Sequence, residues 1–277
     1  MSGGVVSSAD NRWVKLARAL RSGPGRDKQG AFLVEGARAA SEALSSGHAL
    51  ACLINASEHG REILIALQER ARSSAVEIVP VEARLFATLC ETLSPQGALV
   101  IVRDIVTPLG AVIGAAPRLI VIADAVQDPG NLGTLLRIAD GVGADAFVAT
   151  SGSVDIYNGK VVRASMGSLF HLKIAKDAAS AEVISMVCRK GYSIVAADPR
   201  GPHLHYEFRY QAPLAVVFGN EGAGLSPSWR DAAQLVRIPL WGRAESLNVS
   251  VAAGVLLYEI LRQWQGSLVV PATSPVV

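Results

Sequence analysis

Three short stretches of this 277-residue chain hold polar residues at spacings that could do chemistry. The first runs from Asp124 through Asp128-Pro129-Gly130-Asn131 to Arg137. A strand candidate, Leu119–Ala123, ends before it, Pro129-Gly130 turns the chain, and the pattern predicts a helix over Asn131–Gly141. Leu132, Leu135, Leu136 and Ala139 make the inward face, while Asn131, Thr134 and Arg137, spaced i, i+3, i+6, share another. Such a face sits at the carboxyl ends of the strands, where open α/β sheets bind ligands. An arginine there can hold a phosphate or carboxylate through two parallel hydrogen bonds. A solvated arginine and a capping asparagine are the bland alternative.

The second stretch, Phe218-Gly219-Asn220-Glu221-Gly222-Ala223-Gly224-Leu225-Ser226, places three glycines after a buried strand. Glycine lets backbone approach a ligand closely. The pattern is neither a dinucleotide fingerprint nor a P-loop, and Glu221 disfavours a bound polyphosphate. A tight turn explains it equally well taken alone. The third stretch runs from Ile238-Pro239-Leu240 to Ser246-Leu247-Asn248-Val249-Ser250, a strand end leading through a loop into an apolar helix predicted over Leu247–Trp264. Ser246 could simply cap that helix, whereas a semi-buried Asn248 amide needs partners.

The elements that must position these residues alternate. Before residue 105 the sequence predicts helices at Ser7–Leu20, Glu35–Ser45, Ile63–Ala71 and Val81–Leu93, and strands at Ala31–Val34, His48–Asn55, Val76–Pro80 and Ala98–Arg103. Arg21–Gly30, rich in Gly, Arg and Lys, reads as an exposed loop. Residues 106–117 read as a linker. After it come strands at Leu119–Ala123, Ala146–Thr150, Ser193–Ala197, Leu214–Phe218 and Leu235–Pro239, with a helix at Ala181–Lys190. Unbroken apolar runs such as LIVIA and LAVVF indicate strands buried on both faces, hence a mostly parallel sheet covered by helices. The expected organisation is a small N-terminal α/β domain over 1–105, a linker over 106–117, a larger α/β domain over 118–267 and a loose tail over 268–277.

Half the residues are apolar and 18% are charged, enough for a sizeable core. Net charge is only +2, yet residues 1–40 carry seven basic side chains (Arg12, Lys15, Arg18, Arg21, Arg26, Lys28, Arg38) against three acidic ones. Such a basic arm suits phosphate contacts, or is a plain solvated terminus. The three cysteines are scattered and form no CxxC pair or zinc-like cluster with histidine, so no metal is expected and a reduced, cytoplasmic setting fits. No signal peptide is visible, and the longest apolar run, Val249–Leu257, is too short to span a bilayer.

Taken together and in this order, NLGTLLRIAD, FGNEGAGLS and RIPLWGRAESLNVSVAAGVLLYE resemble the three signature motifs of the SpoU (TrmH-like) RNA 2'-O-ribose methyltransferases of the SPOUT superfamily. Val162–His171 resembles the segment linking the first two, and the likeness covers residues 118–264. Phe32–Gly36 and Ser94–Gly97 resemble, more loosely, the L30e-like substrate-binding domain of the larger members. The resemblance implies a deep trefoil knot, S-adenosylmethionine as cofactor, RNA as substrate and a homodimer. By that carry-over Phe218, Gly219, Asn220, Gly222, Gly224, Ile238, Leu240, Ser246 and Leu247 lie against the cofactor. Asn131, Arg137, Glu221, Ser246 and Asn248 surround the reacting ribose, with Arg137 holding phosphate and oxyanion. The extra N-terminal domain favours ribosomal RNA. A transfer RNA 2'-O-methyltransferase, a base methylator and an RNA-binding module with a non-catalytic knot are the rival readings.

Overall fold

The computed structural model describes residues 4–265, and the chain forms two compact units. The first comprises the residues up to Val106 together with Asp155–His171; the second comprises Thr107–Val154 and the residues from Leu172 onward.

In chain order the first unit contributes α1 (Arg12–Ala19), α2 (Gly23–Gln29), β1 (Ala31–Glu35), α3 (Ala37–Ser45), β2 (Ala49–Asn55), α4 (Glu62–Ser73), β3 (Glu77–Val81), α5 (Ala83–Ala87) and β4 (Ala98–Arg103). Its sheet has the order β1-β4-β2-β3, antiparallel except for β2 with β3. Val14, Ala17 and Leu20 pack on Leu53, Val79, Leu99 and Ile101 to form its core. The predicted exposed loop at Arg21–Gly30 is instead mostly α2. Ser22 caps it by accepting from the Gly25 N–H, a proline stands in its first turn, and Gly30 ends it in the left-handed region. Gly25 is obligatory there, since a Cβ would sit 1.8 Å from the Ala19 carbonyl oxygen. Two helix predictions also shrink: Asn11 caps α1 at Arg12, and α5 ends at Ala87.

Continuing along the chain come α6 (Leu109–Gly114), β5 (Leu119–Ala123), α7 (Pro129–Gly141), β6 (Ala146–Thr150), α8 (Gly159–Ser165), β7 (Lys173–Ala178), α9 (Ser180–Arg189), β8 (Ser193–Ala197), β9 (His203–Leu204), β10 (Leu214–Phe218), α10 (Pro227–Ala232), β11 (Gln234–Arg237) and α11 (Val249–Trp264). The stretch expected to be a linker, 106–117, holds α6, whose Val112 and Ile113 are fully buried. Its small residues and prolines had masked a short core helix. Two strands were not predicted: β7 and the two-residue β9, the ends of the second sheet. Residues 268–277 lie outside the described residues.

The second unit's sheet has the order β7-β6-β5-β10-β8-β11-β9, with every described pair parallel. The central strands β5, β6 and β10 are buried throughout, as their unbroken apolar runs require. Ile120, Ile122, Val148 and Val217 face a core that includes Val183, Val187 and Trp229. Leu132, Leu135 and Leu136 of α7 and Leu256, Leu257 and Ile260 of α11 are buried, and these two helices pack together.

Asp155–His171, including α8, belongs to the first unit. Tyr157 stacks on Phe32 with ring centroids 4.1 Å apart, and its hydroxyl donates to Asp104 at 2.5 Å. Arg26, nine-tenths buried, donates to Asp155 through Nε (2.9 Å) and Nη2 (2.6 Å) and to the Leu20 carbonyl. Arg21 donates to the Thr88 carbonyl, and Arg12 pairs with Glu77. The basic arm therefore does not act as a block. Arg26 is a structural ion pair, because a buried charge must be neutralised in place.

Candidate active site

The three sequence stretches converge where the parallel strands end. Asp124 follows β5, Asp198 follows β8, Gly219 follows β10 and Ile238 follows β11. The last three line a pocket of about 590 Å3, together with Phe218, Asn220, Glu221, Gly222, Gly224, Leu240, Ser246, Leu247 and Asn248. All nine residues expected at the cofactor are on this wall.

The glycine loop is fixed by its own hydrogen bonds. Asn220 exchanges backbone bonds with Gly224 at 3.0 and 2.9 Å, and its Oδ1 accepts from the Gly222 and Ala223 N–H groups. Its Nδ2 donates to the Ala125 carbonyl. Gly219 leaves no room for a side chain, since a Cβ would lie 2.5 Å from the Gly224 carbonyl carbon. Two carboxylates hold the loop's far end. Buried Asp124 accepts from the Ser226 N–H (2.8 Å), Thr150 and Ser180. Asp198, also buried, pairs with Arg230 at 2.9 Å, whose Nε donates to the Leu225 carbonyl. The sequence pattern gives neither aspartate a role, although Asp124 opens the first polar stretch; each directly follows a buried apolar strand, a place where a carboxylate needs partners.

Asn131 is the hub of the polar cluster. Its Nδ2 donates to Glu221 at 2.9 Å, and its Oδ1 accepts from Asn248 Nδ2 (2.9 Å) and Ser250 Oγ (3.1 Å). Glu221 also accepts from the Gln127 and Asp128 N–H groups at the start of α7. Partial burial pushes the Glu221 carboxyl up, but the hydrogen bonds from Asn131 and these backbone groups outweigh it and hold it below its ordinary value. An ionised, fully engaged carboxylate is a poor proton acceptor. Asn248, rather than Ser246, caps α11, its Oδ1 accepting from the Ser250 and Val251 N–H groups. Ser246 is exposed on the pocket wall and makes no hydrogen bond among the described residues.

Arg137 is not gathered into this cluster. It is exposed on α7, outside the pocket wall, with no hydrogen bond or ion pair among the described residues. It lies roughly 9 Å along the helix axis from Asn131, six residues at about 1.5 Å each. Glu221 therefore orders the start of α7 rather than holding Arg137.

Cys52 and Cys90 are buried in the first unit, and burial pushes both thiols up to about 12, which removes them as nucleophiles. Among the described residues no His, Cys, Asp and Glu cluster could hold a metal ion, and no helix is long and apolar enough to cross a membrane.

A parallel sheet with a glycine-lined pocket at its strand ends, walled in part by Glu221 and Asn248, which Asn131 bridges from outside the wall, defines a small-ligand enzyme of the open α/β class. Family comparison makes the assignment finer. The SpoU rRNA methylase family matches residues 118–258, and an MRM3-like substrate binding domain matches residues 11–100. The chain is 32% identical to the 23S rRNA (guanosine(2553)-2'-O)-methyltransferase RlmP of Bacillus subtilis, over 92% of this chain and 98% of the relative. It is 31% identical to the 23S rRNA (uridine(2479)-2'-O)-methyltransferase of Streptomyces viridochromogenes, over 93% and 92%. The crystal structure of the SpoU methyltransferase AviRb from the same organism, in complex with AdoMet, superposes with a TM-score of 0.83 at 30% identity, covering 93% of this chain and 99% of that one. The chain belongs to the SpoU rRNA methylase family.

Proposed function

We propose that this protein methylates the 2'-hydroxyl of a ribose in 23S ribosomal RNA. It is an RNA 2'-O-methyltransferase, and S-adenosylmethionine is its cofactor. One observation carries the site assignment: Asn131 joins all three motif stretches by hydrogen bonds, two of its partners, Glu221 and Asn248, lining the glycine-lined pocket. The residues present fit the cofactor. The volume suits a nucleoside-sized ligand, Ile238, Leu240 and Leu247 offer apolar surface, and Glu221 and Glu245 give the wall acidic groups suited to a cationic sulfonium, while Asp198 is paired with Arg230 of the same wall. The loops 218–226 and 238–248 are the segments from which the family's trefoil knot would be tied.

When bound, the cofactor supplies a methyl carbon already activated by its positive sulfur. The chain's task is alignment and charge control, and alignment alone can supply several kcal/mol, roughly 7–11 in ideal cases. In this reading Asn131, Asn248 and Ser246 present polar groups to the ribose, and Glu221 fixes Asn131. Arg137, left uncommitted by the fold, takes a phosphate oxygen of the RNA and stabilises the charge that develops on O2' as its proton leaves, with that phosphate as the acceptor. Arginine itself keeps its proton. The N-terminal unit binds RNA, and the enzyme works in the cytoplasm.

Mapping ribose methylation in 23S rRNA from cells with and without the gene tests the substrate; a complete set of ribose methyls in the deletion strain would reject it. Single-turnover transfer at saturating RNA tests Arg137. Arg137→Ala should bind cofactor normally and transfer methyl at least about 100-fold more slowly, and Arg137→Lys should recover little. A rate within about threefold of wild type rejects the role.

The same reading includes a homodimer. Val251, Val255 and Tyr258, at i, i+4 and i+7 on α11, are exposed and form an apolar stripe that a second copy would cover. Val255→Glu with Tyr258→Glu should shift the protein from dimer to monomer in sedimentation. An unshifted coefficient would place the dimer contact elsewhere.

A further inference from the structure

The loop between β11 and α11 holds a second candidate binding element beside the pocket. Leu240, Glu245, Ser246 and Leu247 of this loop line the pocket, and between them stand Trp241, Gly242 and Arg243. The chain's four tryptophans are used differently. Trp13 and Trp264 donate indole hydrogen bonds, to Glu77 and to the Tyr210 carbonyl, and Trp229 is fully buried. Trp241 is 97% exposed.

A single exposed apolar side chain needs no explanation in general, and Leu93, equally exposed between Thr92 and Ser94, carries none here. Trp241 differs in its setting. It directly follows Leu240, a residue of the pocket wall, and Arg243, two residues on, is exposed with no hydrogen bond or ion pair among the described residues. An unpaired nucleotide can be drawn towards a pocket more freely than one held in a helix, and an unstacked base regains stacking on an aromatic face. We propose that Trp241 is a stacking platform for an unpaired base of the substrate RNA at or beside the methylated nucleotide, with Arg243 contacting the adjoining phosphate. This rests on the reading of the chain as an RNA methyltransferase.

A second copy of the chain is a less suitable occupant. Residues 241–246 are all exposed and include Arg243, Glu245 and Ser246, a polar and charged surround for one aromatic ring. The apolar stripe of α11, by contrast, offers three aliphatic or aromatic residues on one face. A flat π-face flanked by a guanidinium matches a base followed by a phosphate.

The test compares Trp241→Ala, Trp241→Leu and Trp241→Phe in the full chain. The probes are an unmodified 23S rRNA transcript and a single-stranded oligouridylate, with an RNA duplex of equal length as control. Trp241→Ala and Trp241→Leu should each weaken binding of both single-stranded probes about 5- to 100-fold, and Trp241→Phe less than about threefold. Tryptophan fluorescence should fall when oligouridylate is added to wild type, and not in Trp241→Phe. Cofactor affinity by calorimetry and the melting temperature should be unchanged in all three. Equal binding by the Leu and Phe variants would mean mere apolar contact and overturn the stacking role. Unchanged RNA affinity in Trp241→Ala, or its conversion to a smaller sedimenting species, would also overturn it, the latter by assigning Trp241 to contact between copies. A wild-type protein that binds RNA but transfers no methyl would fail the methyltransferase reading while leaving the stacking test readable.

Discussion

The Arg26 cluster of the first unit and the Asn131 cluster of the second are built from similar polar side chains and do different work. Around Arg26 the hydrogen bonds close on themselves: its guanidinium is shared between Asp155 and the Leu20 carbonyl, and it is nearly sealed from water. Around Asn131 the bonds also fix geometry, but the cluster opens on a pocket, and neighbouring Ser246 and more distant Arg137 keep unused hydrogen-bonding capacity. Residue type does not separate the two. What separates them is whether any donor or acceptor is left over for a ligand.

The sharpest way to break that comparison is Arg26→Ala. It leaves Asp155 half-buried without its cation and should cost about 3–5 kcal/mol of stability in the first unit, seen as a lower melting temperature. Cofactor affinity, and the salt dependence of RNA binding in whatever protein remains folded, should be unchanged. A flattened salt slope would mean Arg26 contacts phosphate after all.

That case also shows what the sequence could and could not convey. The sheet of the second unit was legible because short unbroken apolar runs such as LIVIA and LAVVF suit strands buried on both faces, as β5 and β10 are. The glycine loop and the polar entry to α11 were legible because three glycines after a buried strand and an asparagine leading an apolar helix both stand out, although Asn248, expected to be semi-buried, is exposed. Arg26 was not legible. Its partner Asp155 lies 129 residues away, in a segment that returns to the first unit, and no local pattern announces such a pairing. Residues 21–30 read as loop because glycine and proline commonly break helices, yet here they serve as first-turn residues and C-cap of α2. Asn248 was recognised as needing partners, but its role as the cap in place of Ser246 depended on where α11 starts, which periodicity does not fix.

Gly219→Ala probes the other side of the comparison. The added methyl must push against backbone, the Gly224 carbonyl carbon and the Leu225 nitrogen, and neither can swing aside like a flexible side chain. A strain of about 1–3 kcal/mol falls on the pocket wall. S-adenosylmethionine affinity should drop on the order of 5- to 100-fold by calorimetry, with little change in RNA binding. Retained cofactor affinity would show that the loop's path is not what the ligand reads.

The smallest expected effect concerns Glu221, and it decides whether the Asn131 cluster holds a proton acceptor or only an orienting anion. The folded state depresses the Glu221 carboxyl below its ordinary 4.5, because the hydrogen bonds from Asn131, Gln127 and Asp128 outweigh partial burial. A depressed carboxyl binds fewer protons folded than unfolded near that pH. Its contribution to stability is therefore fully present above about 4.5 and fades as pH falls through the folded value. In Glu221→Gln the amide NH2 would face N–H donors that now meet a carboxylate oxygen, so the variant should melt lower than wild type at neutral pH. The gap in melting temperature should stay constant from pH 8 to about 5 and narrow only in more acid solution. An opposite shift would make wild type gain stability as pH falls, so the gap would widen, beginning above pH 5, and Glu221 would then be protonated close to working pH, as a proton-transfer group is. Melting curves of the two proteins across pH 3.5 to 8 separate these outcomes. The geometry, with every described bond to Glu221 donated by an N–H group, supports the first.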